Sequence, residues 1–93
     1  MYNCPVTIEF DPVKAKANFR KHRIHLSDAE QVLHDPNALT FDDPDAEAER
    51  RFITLGMDAL GRILVVVHSP RGKKIRLISA RKASPGEMEK YYA

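Results

Sequence analysis

Residues 62–69 read Arg-Ile-Leu-Val-Val-Val-His-Ser, five apolar residues in a row between polar ones. A run of that kind, rich in β-branched side chains, predicts a strand buried on both faces. Residues 50–57 (RRFITLGM) and 74–82 (KIRLISARK) predict two more strands, and the short turns DALG and PRGK make the three antiparallel neighbours. Shorter strands are expected at 6–10 (VTIEF), where apolar and polar positions alternate, and at 38–41 (ALTF). Within 74–82, Arg81 shares a face with Ser79, Leu77 and Ile75. Strict alternation sends Arg76 to the other face unless a bulge re-phases the strand.

Elsewhere the helical period takes over. Asp11 and Pro12 supply an N-cap and a first helical residue for a helix running to about His22. On its surface Lys14, Asn18 and Lys21 share one face, and Ala15 and Phe19 form the adjacent apolar side. His22 falls on the border between the two. Ser27 and Glu30 have the spacing of a capping box, so a second helix is expected, with Ala29, Val32 and Leu33 inward and Asp35-Pro36 at its end. The acidic, proline-containing stretch 42–49 predicts a loop. Ser84, Pro85 and Glu87 predict a short C-terminal helix or turn. The class is α+β: an N-terminal strand and two helices packed on one face of a mainly antiparallel sheet, then a short C-terminal helix, with the other sheet face left for a ligand.

Ninety-three residues fit one domain, and 43% hydrophobic with 30% charged content reads as globular rather than disordered. The single cysteine, Cys4, excludes an internal disulfide and suits a reducing cytosol. The apolar runs are too short to cross a bilayer and the N-terminus carries no signal pattern, so a cytoplasmic protein without a membrane partner is expected. The net charge of +2 hides an asymmetry. Residues 1–61 hold 7 basic and 11 acidic residues, whereas residues 62–93 hold 8 basic and 2 acidic ones. Residues 14–25 add five bases and no acid. Such patches suit a polyanionic partner, with ordinary solvated faces as the plain alternative.

The candidate soft metal ligands are Cys4, His22, His25, His34 and His68. Only His22 and His25 are close in sequence and no cysteine pair accompanies them, so no metal or other cofactor is expected. The chain has neither a nucleophile-elbow serine nor a phosphate-binding glycine loop. Metal-free RNA cleavage fits better. It needs a base for the 2′-hydroxyl, cations around the phosphorane and an acid for the leaving 5′-oxygen. Histidine, with a reference pKa near 6.5, suits proton transfer, and the arginine fork suits phosphate. The chain offers His22 beside Lys21, Glu49 with Arg51, Arg71 in a turn, Arg76 and Arg81 on one strand, and Tyr91. Each also has a structural reading. Lys21 and His22 suit a helix C-terminus, Glu49 and Arg51 a surface ion pair, Arg71 a solvated turn, and Tyr91 a core aromatic. His68, at a strand end, reads as partly buried and hydrogen-bonded.

Four blocks in order, FDPVKAKANFRKH (10–22), EAERRFITLGM (47–57), GRILVVV (61–67) and IRLISARKAS with Glu87 (75–87), make the chain similar to the BrnT family of bacterial type II toxins. The resemblance implies a RelE-like fold, RNA cleavage and arrest of translation. It also implies neutralisation by a BrnA-like ribbon-helix-helix antitoxin, through which the complex binds operator DNA. By the same resemblance, Lys21, His22, Glu49, Arg51 and Arg81 are the catalytic candidates, with His22 moving protons and Glu49 a rival base. Lys14, Asn18, Arg71, Arg76 and Tyr91 are the candidates for holding RNA. The alternative is a non-catalytic module that binds nucleic acid or the antitoxin. The chain departs from the family pattern at Phe10, where tryptophan is usual, and at Pro70-Arg71, where a Glu-Arg pair is common. It departs again at Arg23, where glycine is usual after the Lys-His pair. A non-glycine residue in a left-handed cap costs on the order of 1 kcal/mol.

Overall fold

The computed structural model describes residues 7–46 and 49–93; Cys4, the start of the 6–10 segment and residues 47–48 of the acidic loop lie outside the described residues. The chain runs β1 (Thr7–Glu9), α1 (Pro12–His22), α2 (Leu26–Ala29) continued by a 3-10 turn (Glu30–His34), β2 (Leu39–Asp42), β3 (Phe52–Met57), β4 (Ile63–Arg71), β5 (Lys74–Lys82) and α3 (Pro85–Tyr92). The five strands form one sheet in the order β1-β5-β4-β3-β2. The neighbours β2-β3, β3-β4 and β4-β5 are antiparallel, and β1 joins β5 in parallel.

β4 is the central strand and is covered on both sides, as its apolar run requires. Leu64 and Val66 point into the larger core with Ile24, Leu26, Val32, Leu77 and Ala80, beneath α1 and α2. Ile63 and Val65 point the other way and pack with Leu55, Met57, Ala83 and Tyr91. Tyr91 belongs to α3, so that helix covers part of the face expected to be free, and the helices are not confined to one side. Gly56 is needed where the 3-10 turn crosses β3. An added Cβ would meet Val32 Cγ1 at 2.9 Å and the Val32 carbonyl oxygen at 3.2 Å. His68 is buried and its Nε2 shares a 2.8 Å hydrogen bond with the Thr54 hydroxyl. Burial disfavours its charged form and lowers its pKa.

The helix ends follow local chemistry. Asp11 caps α1 by accepting from the Val13 N–H at 2.9 Å, with Pro12 behind it. The other end closes on Arg23 at φ 60°, whose N–H donates to the Phe19 carbonyl. The left-handed cap that glycine would fill is thus present, made by arginine under strain. The capping box expected at Ser27 and Glu30 does not form. α2 starts two residues earlier, with its N-cap at His25 rather than Ser27 and no side-chain cap. The bend at Arg23 buries Ile24 and Leu26 completely, and His25 stacks on Phe19 at a centroid distance of 4.2 Å. Tertiary packing therefore sets where this helix begins, and Glu30 opens the 3-10 turn instead. α3 does carry its capping box, made by Ser84 and Glu87.

Candidate active site

The pairing register brings the arginines together. Val65 pairs with Arg81, and Ser69 with Arg76. Val65 and Ser69 are four residues apart on β4 and share a face. Their partners therefore share it too, although they stand five apart on β5. A register shift at Val67/His68 absorbs the odd residue. This is the bulge that alternation alone left open, and it puts both arginines on the side away from α1 and α2.

β3 contributes to the same face. Phe52 pairs with His68, so continuing that register sets Arg51 opposite Ser69 and Glu49 opposite Arg71. Glu49 and Arg71 do form an ion pair at 3.3 Å. Arg51, Ser69 and Arg76 thus make one row across the sheet, closed at its far end by Glu9 of β1. Glu9 pairs with Arg76 in register and accepts from its Nη2 at 3.1 Å. Three buried polar atoms in this row have no partner among the described residues: Arg51 Nε, Ser69 Oγ and Arg76 Nε. Ser69 is 0% exposed. Unpaired buried donors cost stability, and three of them gathered in one row make that row a candidate place for an anion. Ser69 and Glu9 were missed as site residues in the sequence. Ser69 sits at a strand end with no motif, and Glu9 depends on a parallel pairing that local pattern does not reveal.

Arg81 lies on this face toward α3. Its two terminal nitrogens donate to the Glu87 carboxylate at 2.8 and 2.9 Å. That fork lowers the Glu87 pKa to about 2, with the Ser84 bonds helping against burial, and raises that of Arg81. Tyr91 donates to Asp35 Oδ2 at 2.5 Å, and the same oxygen accepts from the Met57 N–H at 2.8 Å. The bond to Asp35, aided by burial, pushes the Tyr91 hydroxyl up to about 12. Burial opposes ionisation of Asp35, but these donors outweigh it and hold its pKa below the usual value.

The α1 candidates stand apart from this row. Lys14 and Lys21 are exposed and His22 is half-buried. Asn18 does not share the outward face with the lysines. It is 6% exposed, and its amide is spent on backbone. Nδ2 donates to the carbonyls of Ile24 and Ala80, and Oδ1 accepts from the Ala80 N–H. Its contacts pin α1 to the outer edge of β5, which β1 leaves open beyond Arg76. His22 follows one helical turn later on that flank. Among the described residues no hydrogen bond or ion pair joins Lys14, Lys21 or His22 to the arginines.

Residues 10–87 match the family described as the ribonuclease toxin BrnT of type II toxin–antitoxin systems. The chain belongs to the BrnT family. A BrnT protein is a ribonuclease toxin of a type II system, which implies an RNA substrate and an antitoxin partner. Among solved structures, this BrnT chain is similar to the crystal structure of the Brucella abortus ribonuclease toxin BrnT. Identity is 28% and the TM-score 0.67, over 86% of this chain and 99% of that one. A search of curated protein sequences finds no match. No described helix is long and apolar enough to cross a membrane.

Proposed function

We propose that this BrnT protein is a metal-independent endoribonuclease on a RelE-like scaffold, cutting RNA through the 2′-hydroxyl and so arresting translation. The observation that carries the reading is the row Arg51–Ser69–Arg76 with its three buried, unpartnered polar atoms. A phosphodiester that reaches this row supplies the oxygens it lacks, and clustered donors stabilise the charge that builds on the phosphorane. Arg81 adds a third cation on the same face once it turns from Glu87. Glu49, on that face beside Arg71, is the group that takes the 2′-hydroxyl proton. His22, at the edge of β5, returns a proton to the 5′-oxygen, with Lys21 beside it. The 2′-oxygen bonds to phosphorus as the bond to the 5′-oxygen breaks, leaving a 2′,3′-cyclic phosphate and a 5′-hydroxyl. Arg71, Lys14 and Tyr91 hold the flanking chain, and Asn18 acts by positioning α1.

The test is cleavage of RNA by the free toxin with EDTA present, followed by mapping of the ends. Cyclic phosphate ends are expected, and Arg51→Ala or Arg76→Ala should each lower kcat/KM by about 10²-fold or more, the size of one lost oxyanion donor. Activity lost in EDTA and restored by a divalent ion overturns the mechanism. Full activity in the double variant His22→Ala, Glu49→Ala overturns the proton-transfer assignment. A BrnA-like ribbon-helix-helix antitoxin is the partner proposed to neutralise the toxin and to carry it to operator DNA. Co-purification with the product of the adjacent reading frame and a gel shift on the shared promoter test both points.

A further inference from the structure

An apolar hollow of about 220 Å³ opens on the arginine face, lined by Phe41, Ile53, Leu55, Val65, Glu87 and Lys90 among others. The register fixes its place relative to the arginines. Ile53 lies two residues beyond Arg51 on β3, with Phe41 of β2 paired to it. Leu55 and Val65 form one cross-strand row with Arg81. The hollow therefore lies on the face that carries Arg51 and Arg81, with Glu87, the partner of Arg81, on its wall. Its floor is aliphatic. Its outer wall is the Phe41 ring, 43% exposed on an edge strand. The Lys90 ammonium stands 5.3 Å from the centre of that ring.

We propose that this hollow is a nucleobase subsite, taking the base of a nucleotide adjacent to the phosphate held by Arg51, Ser69 and Arg76. The proposal rests on the ribonuclease reading above and adds to it a second anchor for the substrate. Three features select a base as the occupant. The hollow is smaller than the roughly 300–1,000 Å³ of sites that enclose a drug-sized ligand, so it suits one ring system. It joins an apolar floor to an exposed aromatic face, the surface on which bases stack in single-stranded RNA. It also lies on the same sheet face as the anion row, and in RNA a base is the flat, weakly polar group tethered to every phosphate. Recognition of this kind tolerates sequence, because every base offers a π-face.

The test uses a short RNA carrying one mapped cleavage site, and two versions of it in which the nucleotide on the 5′ or 3′ side of the cut is abasic. One abasic RNA should show kcat/KM lowered by about tenfold or more, the size of one base–aromatic stack. Phe41→Ala should lower kcat/KM for the intact RNA by a similar factor and have little further effect on that abasic RNA. Phe41 is exposed at a sheet edge, and a thermal melt of the variant confirms that it folds. If both abasic RNAs are cut as fast as the intact one, or if the two losses simply multiply, the subsite is overturned while the ribonuclease reading stands. If cleavage ignores the base but Phe41→Ala weakens neutralisation by the antitoxin, the hollow belongs to the partner protein. If no RNA is cut at all, the ribonuclease reading itself falls, and the subsite with it.

Discussion

Beyond the end of β1, the N–H and C=O of Ala80 face outward from β5, and the Asn18 amide meets both, as a neighbouring strand would. The same side chain also ties down the Ile24 carbonyl. Asn18→Ala leaves three backbone groups unpaired, so a loss of at least about 2–3 kcal/mol is expected in urea denaturation. Asn18→Asp should be comparably harmful, since a carboxylate cannot donate to the two carbonyls; stability within 0.5 kcal/mol or so of the parent would sink this account. None of this was legible on the helical surface, where Asn18 groups with Lys14 and Lys21 by its spacing. A helical pattern does not register an open strand edge alongside. Arg23 is the opposite case, since comparison with the family pattern singled it out as the cap position and the structure shows it left-handed. Arg23→Gly removes the Cβ penalty at φ 60° but frees the unfolded chain, so the net gain should be up to about 1 kcal/mol, a rise of a few degrees in Tm.

α3 is fastened at each end by a titratable pair, and these set its response to pH. At the first turn, Glu87 has its pKa held at about 2 against a usual 4.5. The stability it adds is complete above about pH 4.5 and is lost as pH falls toward 2. At the last turn, Tyr91 is pushed up to about 12 from 10.0. The stability it adds is complete below pH 10 and is lost as pH rises toward 12. Thermal melts across pH should show both limbs. Glu87→Gln should weaken the acid limb and leave the alkaline one, whereas Tyr91→Phe should remove the alkaline one and, by taking a donor from Asp35, weaken the acid limb as well. The cap of α3 could be read from Ser84 and Glu87 because it is local. That of α2 could not, because burial of Ile24 and Leu26 decides where that helix starts.

Across the whole molecule, the strand order and the row of unpaired donors are the parts that sequence reveals least. Local pattern located the three long strands and their short turns, since each depends on neighbours in sequence. It put Arg51, Arg76 and Arg81 among the phosphate candidates, to which a family resemblance gave roles. It did not bring them onto one surface, because that depends on how β3, β4 and β5 align. Nor did it find Ser69 or Glu9, whose part depends on partners on other strands. For the same reason the hollow beside Phe41 has no signature in the chain, being assembled from β2, β3, β4 and α3.

The register shift at Val67/His68 gives β5 one residue more than its pairing with β4 needs, and that residue is Ile78. Removing Ile78 would leave plain alternation, with Leu77 still opposite His68 and Arg76 still opposite Ser69. Leu77 and Ile75 would stay in the core, and Arg76 and Arg81 would stay on one face, now four residues apart. The shortened chain should therefore still give a cooperative melt, and loss of that melt would overturn this reading of the bulge. Variation in the length of this strand is thus expected at the bulge, where it disturbs neither the core nor the anion row.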